Sequence, residues 1–345
     1  MELEAEDRRP IVTLLIVTRN EKEKVKKSLQ SFLNQTYPQE LTEIIIIDGM
    51  STDGTREMLE KSIRELQEKG INIKMLDNPD LILASGWNIG IKNAKGDIVC
   101  RIDAHSEICP EYVEVGVNEL LKRKEDKVVC MGGVLENIGE GIIGNAIADL
   151  FSSKFGMGNS AFRTGVKEPK YTDTAVFGLY WKLVFDEVGY FNENLKRNQD
   201  IDLHHRILQK GYKFLTHPKM KATYYVRNSL SGMIKKAFGD GYWIIASGRS
   251  YMRHRIPLYF VLYLIICFLV IGILGYPKLF SLRLVCLSPL VLYILLLVFF
   301  SLKDGNGYNK ILLLILFPAF HISYGLGSLK AFWDKLFLKK RQRAV

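Results

Sequence analysis

Three polar clusters in this chain hold residue types that could do chemistry together. Thr18-Arg19-Asn20-Glu21, Asp48-Gly49-Met50-Ser51-Thr52-Asp53-Gly54-Thr55 and Arg101-Ile102-Asp103-Ala104-His105 each sit at the end of a short apolar run. Asp103 and His105 are spaced i, i+2, so on an extended strand end both side chains point to one side. A carboxylate and an imidazole placed this way could hold a divalent cation bridging a diphosphate. Taken alone, Asp-X-His also suits a surface turn, and Ser51-Thr52-Asp53 suits a helix N-cap between turn glycines. The coincidence of all three clusters at strand ends favours a ligand site.

The elements that must position these clusters alternate. Ile11–Val17 is rich in β-branched residues, and Glu43–Asp48 is a continuous apolar run of the kind found in a parallel strand buried on both faces. Ile71–Leu76 and Ile98–Ile102 read as further strands, separated by helix patterns at Lys22–Leu33, Thr55–Glu68 and Ser85–Ala94. This order predicts an α/β fold with a mainly parallel, Rossmann-like sheet and helices on both faces. Ligands on such sheets bind beyond the carboxyl ends of the strands, where the three clusters fall.

The rest of the chain is of another kind. Of the +10 net charge, +8 belongs to residues 256–345, which leaves the first 255 residues near neutral at +2 and argues against a nucleic-acid-binding domain there. Three long runs fall in that last quarter: Ile256–Tyr276 (21 residues), Leu284–Leu302 (19) and Ile311–Leu329 (19, with His321 neutral). Each helix would be roughly 28–31 Å long, enough for a hydrocarbon core of about 30 Å. The third run holds Pro318, His321, Ser323, Gly325 and Gly327, and so is expected to be re-entrant or packed on protein. Between the two parts, residues 229–255 mix Met233, Phe238, Tyr242 and Trp243 with Lys235, Lys236, Arg249, Arg253 and Arg255, a pattern for the headgroup region. The start is acidic and basic rather than apolar, so no signal peptide is expected. Five cysteines without metal-type spacing point to a reducing compartment and no disulfides.

PIVTLLIVTRNE (10–21), EIIIIDGMSTDGT (43–55), RIDAH (101–105) and the segment from Asp173 to Phe214 resemble glycosyltransferase family 2. More narrowly, RIDAHSE, FGMGNSAFRTG (155–165) and RNQDIDL (197–203) resemble the succinoglycan-type exopolysaccharide glycosyltransferases. The resemblance implies a GT-A fold that binds a nucleotide-activated sugar and transfers the sugar with inversion. It implies nucleotide-sugar contacts at Thr18, Arg19, Glu21, Asp48, Asn88 and Asp103. It also implies a divalent cation, Mg2+ or Mn2+, at Asp103 and His105, with Asp200 as the general base. Three departures stand out: Gly49 replaces the second Asp of an Asp-Asp pair, His105 the second Asp of Asp-X-Asp, and Gln199 the Glu of a Glu-Asp pair. Asp202, His204, His205 and His217 read as structural.

The resulting division is a catalytic domain over 1–228, an interfacial segment over 229–255, two or three membrane spans within 256–329 and a basic tail over 330–345. The expected protein is a multi-pass membrane enzyme with its catalytic domain in the cytosol. It would move one sugar from a nucleotide-diphosphate sugar, with uracil as the expected base, to a polyprenyl- or dolichyl-linked saccharide. The alternatives are a polyprenyl-phosphate sugar synthase and a non-catalytic membrane binding module. One tension remains: three full spans would place the basic tail opposite the catalytic domain, against the positive-inside tendency, so the third run is expected not to cross completely.

Overall fold

The computed structural model describes residues 8–195, 197–247, 255–273 and 280–342. The sequence expectations for Arg249, Arg253, residues 274–279 and the end of the tail at 343–345 lie outside the described residues. The chain divides into two compact units, one formed by residues up to 136 with 165–224, the other by 137–164 with 225–345. The segment 137–164 therefore groups with the C-terminal part.

In the first unit, β1 (Val12–Thr18) and β2 (Thr42–Asp48) are buried along almost their whole lengths, as their unbroken apolar character requires. Helix α1 (Lys22–Leu33) buries Val25, Leu29 and Phe32, and α2 (Thr55–Glu68) buries Thr55, Leu59 and Ile63, each set lying on one helical face. After β3 (Ile73–Asp77) comes α3 (Leu83–Asn93), which lies close against the sheet because of two glycines. A Cβ on Gly86 would come within 2.7 Å of Val17 Cγ1, and one on Gly90 within 2.8 Å of Ile47 Cδ1. Strand β4 (Ile98–Asp103) turns at Ala104–His105 into the short β5 (Ser106–Ile108), and α4 (Tyr112–Lys122) and β6 (Val128–Ile138) follow. The chain then forms α5 (Gly141–Ser152), α6 (Lys154–Met157) and α7 (Ala161–Thr164) of the second unit. It returns to the first with β7 (Lys170–Thr172), β8 (Leu179–Trp181), α8 (Leu183–Val188), α9 (Gln199–Gln209) and β9 (Lys213–Tyr225).

The sheet runs β3-β2-β1-β4-β8-β6-β9-β5, with β7 beside β9. Strands β3, β2, β1 and β4 are parallel, while β8 pairs antiparallel with β4 and with β6. The parallel half is the one read from the sequence; the antiparallel half extends it through the long β6 and β9 and the three-residue β5, β7 and β8. Register places Thr18 beside Asp48, Asp48 beside Asp77, and Val17 beside Asp103. The carboxyl ends of four neighbouring strands thus form one edge.

The second unit continues with α10 (Leu230–Ala246), α11 (Ile256–Ile273), α12 (Phe280–Asp304) and α13 (Asn309–Gln342). Among the described residues, two helices are long and apolar enough to cross a membrane, over Leu287–Asp304 and Asn309–Phe337. They differ in setting: the first stretch is 6% buried, the second 50%. Helix α13 is unbroken through Pro318 and continues into the basic residues expected to form a tail. No disulfide involves Cys100, Cys109 or Cys130.

Candidate active site

The edge of the parallel strands gathers the predicted residues from loops far apart in sequence. The two loops after β1 and β2 are latched to each other. Asn20, at φ 55°, donates its backbone N–H to Ser51 Oγ (2.9 Å) and accepts the Thr52 N–H on Oδ1 (2.8 Å). Asn is one of the few non-glycine residues that adopts this conformation readily. Asp48 is fully buried, and its carboxylate accepts from Ser51 Oγ (2.6 Å), Ser51 N (3.1 Å) and Arg56 Nη1 (3.2 Å). Arg56 also reaches Asp77 Oδ1 at 2.7 Å, tying the ends of β2 and β3 through α2. Gly49 stands in place of the second Asp of the pair. A Cβ there would lie 3.1 Å from Arg19 Cβ and 3.3 Å from Thr18 O, a close fit that a side chain would meet only with a shift of a few tenths of an ångström.

Asp103 ends β4, half-exposed, and His105 follows in the turn rather than on the strand itself. The His105 Nδ1 lies 3.4 Å from Glu21 Oε2, which joins two predicted residues from different clusters. Bonding to Glu21 raises the His105 pKa; burial opposes the shift, and the Asp103 carboxylate adds to it. The turn is held from beneath by Ser28 of α1, whose buried hydroxyl lies 2.9 Å from Ala104 O and 2.6 Å from Ser106 O. Nothing in the sequence marked Ser28, because it reads as a small residue on the buried face of an amphipathic helix.

Asn88 lies buried on α3 and is fully engaged within the protein. Its Nδ2 donates to Phe191 O (2.9 Å) and Glu193 Oε1 (2.6 Å), while its Oδ1 accepts the Phe191 N–H (2.9 Å). Asn88 thereby fixes the Gly-Tyr-Phe-Asn-Glu turn that leads to α9. Arg206 fixes the same turn from the other side, bonded to the carbonyls of Val188, Gly189 and Tyr190 and to Asp202 Oδ2.

Asp200 lies in the first turn of α9, half-exposed, after Asn198 in the left-handed conformation. His204, one helical turn on, anchors this helix to the sheet. Its Nε2 pairs with Tyr180 OH at 2.7 Å and its Nδ1 with Thr174 Oγ1 at 2.8 Å. Burial pushes the His204 pKa down to about 4. His217 is likewise buried, accepting the Lys219 N–H at 3.1 Å. Both fit the structural role expected of them.

Arg101 lies on β4 two residues before Asp103. It is 8% exposed, with its guanidinium 5.2 Å from the Trp87 ring and 5.5 Å from the Phe191 ring. Burial alone would lower its pKa, but the field of Tyr180, Asp200 and Asp103 outweighs it and keeps the cation charged. Its Nε, together with Thr18 Oγ1 and Asn78 Oδ1, is buried without a protein partner. Buried polar groups are nearly always paired, so three orphans around these strand ends call for a ligand or ordered water.

The donor set at Asp103 and His105 suits a divalent cation. Among the described residues no group of three or more His, Cys, Asp or Glu side chains could hold a metal. One carboxylate and one imidazole leave coordination positions open, which suits an ion whose other ligands are diphosphate oxygens and water.

This architecture, a half-parallel sheet with its acidic and cationic residues along one strand-end edge, is the GT-A fold of glycosyltransferases. Solved structures match it: the mannosyltransferase PcManGT from Pyrobaculum calidifontis, in complex with GDP-Man and Mn2+, has a TM-score of 0.55 at 16% identity, covering 95% of this chain and 88% of that one. GalNAc-T7 with UDP, GalNAc and Mn2+ has a TM-score of 0.50 at 18% identity, over 63% of this chain and 43% of that one. The family model for glycosyl transferase family 2 matches residues 13–188, and the chain belongs to that family. It is 30% identical over 235 residues to the dolichyl N-acetyl-alpha-D-glucosaminyl phosphate 3-beta-D-2,3-diacetamido-2,3-dideoxy-beta-D-glucuronosyltransferase of Methanococcus voltae, covering 67% of this chain and 71% of that protein. It is also 30% identical to the succinoglycan biosynthesis protein ExoA of Rhizobium meliloti, over 61% of this chain and 62% of that one. The chain is thus a glycosyltransferase.

Proposed function

We propose that this protein is a membrane-anchored, inverting glycosyltransferase that moves one sugar from a nucleotide-diphosphate sugar to a lipid-linked saccharide. The observation that carries the reading is the strand-end edge itself, where Thr18, Asp48, Asp103 and His105 converge beside unpartnered buried polar atoms. The uracil base expected from the sequence stays part of the proposal. The relatives support the acceptor: one is named for action on a dolichyl-linked saccharide phosphate, another for succinoglycan biosynthesis. The apolar helices support an acceptor confined to the same membrane.

In this reading Thr18, Arg19 and Glu21 line the nucleotide side. Asp48 and Asn88 act there through the loops they hold in place. Asp103 and His105 would hold the divalent cation, Mg2+ or Mn2+, whose charge offsets the negative charge developing on the diphosphate. Asp200 accepts the proton of the acceptor hydroxyl as its oxygen attacks the anomeric carbon from the face opposite the leaving group. Arg101, held charged between two rings, keeps a cation within reach of both acidic groups. A saccharide acceptor, rather than a bare lipid phosphate, follows the name of the Methanococcus relative.

The experiment incubates membranes containing the full chain with labelled nucleotide sugars and a membrane-lipid extract, with Mn2+, with Mg2+ and with EDTA. Transfer that requires a cation and is lost in Asp200→Asn is expected. Cation-independent transfer would overturn the metal assignment, and label on sugar-free lipid phosphate would favour a polyprenyl-phosphate sugar synthase. No transfer or donor hydrolysis under any condition would leave the non-catalytic binding module.

A further inference from the structure

Arg101 carries a charge that no anion in the protein offsets at bonding distance. The residue is 8% exposed, and a guanidinium stays protonated in any protein. Among the described residues its side chain makes no hydrogen bond or ion pair. Its contacts are the rings of Trp87 and Phe191, 5.2 Å and 5.5 Å away. Its Nε is buried without a partner, and so is Nε1 of the fully buried Trp87. Both groups are donors only, so this place is rich in N–H and short of oxygen. Rings recover only part of what a cation loses on leaving water, whereas a bonded anion recovers far more.

The guanidinium is held in place from several elements. Arg101 and Asp103 alternate along β4 with the buried Cys100 and Ile102, so both point to one face of the sheet. Helix α3 packs on that face, through Gly90 against Leu15 and Gly86 against Val17, which sit in register with Arg101 and Asp103. Tyr180, opposite Val99, points the same way and bonds His204 of α9, one turn beyond Asp200. Asn88 fixes the two rings relative to each other, because it adjoins Trp87 and bonds both the N–H and the carbonyl of Phe191. The cation is thus preorganised before any ligand arrives.

We propose that Arg101 is a specificity residue that selects a donor whose sugar carries a carboxylate. The inference rests on the donor reading above and names the sugar class. In that reading the diphosphate lies at the strand-end edge with Asp103 and His105. Arg101 stands two residues back along β4, about 7 Å at about 3.3 Å per residue, beside Leu15, while Thr18 and Asp48 close the edge. Its neighbours Phe191 and Tyr180 belong to the half of the unit that carries Asp200. Asp200 works behind the anomeric carbon, so the sugar lies between Asp103 and Asp200, on the side that Arg101 borders. An anion there belongs to the sugar, as in a hexuronate, whose two carboxylate oxygens match the N–H fork of a guanidinium. A neutral hexose would leave the buried cation uncompensated, and a site built around a polar partner rejects the analogue that lacks it.

The test measures the dissociation constants of UDP, UDP-glucose and UDP-glucuronate for the full chain in detergent with Mn2+. The two sugars differ only at C6. The wild type should bind UDP-glucuronate at least about tenfold more tightly than UDP-glucose. Arg101→Met keeps a chain against both rings; it should bring these two constants to within about twofold, leave the UDP constant unchanged and hold or raise the urea midpoint. Arg101→Lys, which keeps the charge without the fork, should restore part of the preference. The readout is a ratio within one protein, so partial unfolding of a variant does not imitate it. Equal wild-type affinity for the two sugars overturns the proposal. A loss in Arg101→Met that falls equally on UDP assigns the guanidinium to the diphosphate, and an intact preference in Arg101→Met makes Arg101 structural; both overturn it. A wild type that binds none of the three removes the uracil-nucleotide reading beneath the inference, and the inference with it.

Discussion

His204 offers a quantitative check on how α9 and its Asp200 are held. Its ring is buried between Tyr180, Thr174 and Phe214, and burial moves its pKa from an ordinary 6.5 to about 4. Below pH 6.5 the unfolded chain takes up a proton that the folded chain refuses until near pH 4. The neutral ring therefore contributes stability that is fully present above 6.5 and lost as the pH falls toward 4. Two and a half pKa units correspond to about 3 kcal/mol in the limit, and to about 2 kcal/mol between pH 7.5 and 5. The perturbation is His204→Gln, whose amide keeps a donor and an acceptor for Thr174 and Tyr180 but does not titrate. Urea unfolding of the full chain in detergent, followed through buried Trp87 and Trp181, gives the unfolding free energy at both pH values. The wild type should lose about 2 kcal/mol more than the variant over this interval, because every other titrating group is common to both. Equal losses would refute the picture of a neutral, buried imidazole anchoring α9. The comparison uses the pH-dependent difference, so any packing loss against Phe214 drops out.

Asp200→Asn should lower the transfer rate by at least about a hundredfold with little change in the apparent donor KM, since it removes a proton acceptor and leaves the donor contacts; initial-rate kinetics separate the two. Ser28→Ala frees the turn bearing His105 and should weaken the apparent cation affinity about tenfold, read from cation titrations of activity while the urea midpoint reports folding separately. Glu43, 1% exposed, accepts from Thr13 Oγ1 and Lys95 N and pairs with Lys74 at 2.9 Å. Burial works against its charged form, but the bonds from Lys95, Lys74 and Thr13 outweigh it and hold its pKa low. Glu43→Ala should therefore destabilise the fold by about 2–3 kcal/mol in urea melts without altering the donor KM.

The amino-acid sequence by itself determined the parallel half of the sheet, because strands covered on both faces must be apolar throughout, and a run such as Glu43–Asp48 has few other uses. It also determined where the polar clusters fall, since they interrupt those runs at strand ends, and it separated a near-neutral catalytic part from a basic, apolar one. Local patterns could go no further where partners are distant in sequence. Asn88 meets Phe191 and Glu193 across more than a hundred residues, and His105 meets Glu21 across the gap between two strands. Only the fold shows Arg101 between Trp87 and Phe191, because a lone arginine in a strand carries no periodic signal. The same holds for residues 137–164: nothing in their composition assigns them to the C-terminal unit, where Asp149 and Ser153 bond to the start of α13. Hydropathy measures the preference of a segment for leaving water. Whether protein or lipid then covers it depends on what packs against it, and for α13 half of its most apolar stretch is buried within the protein.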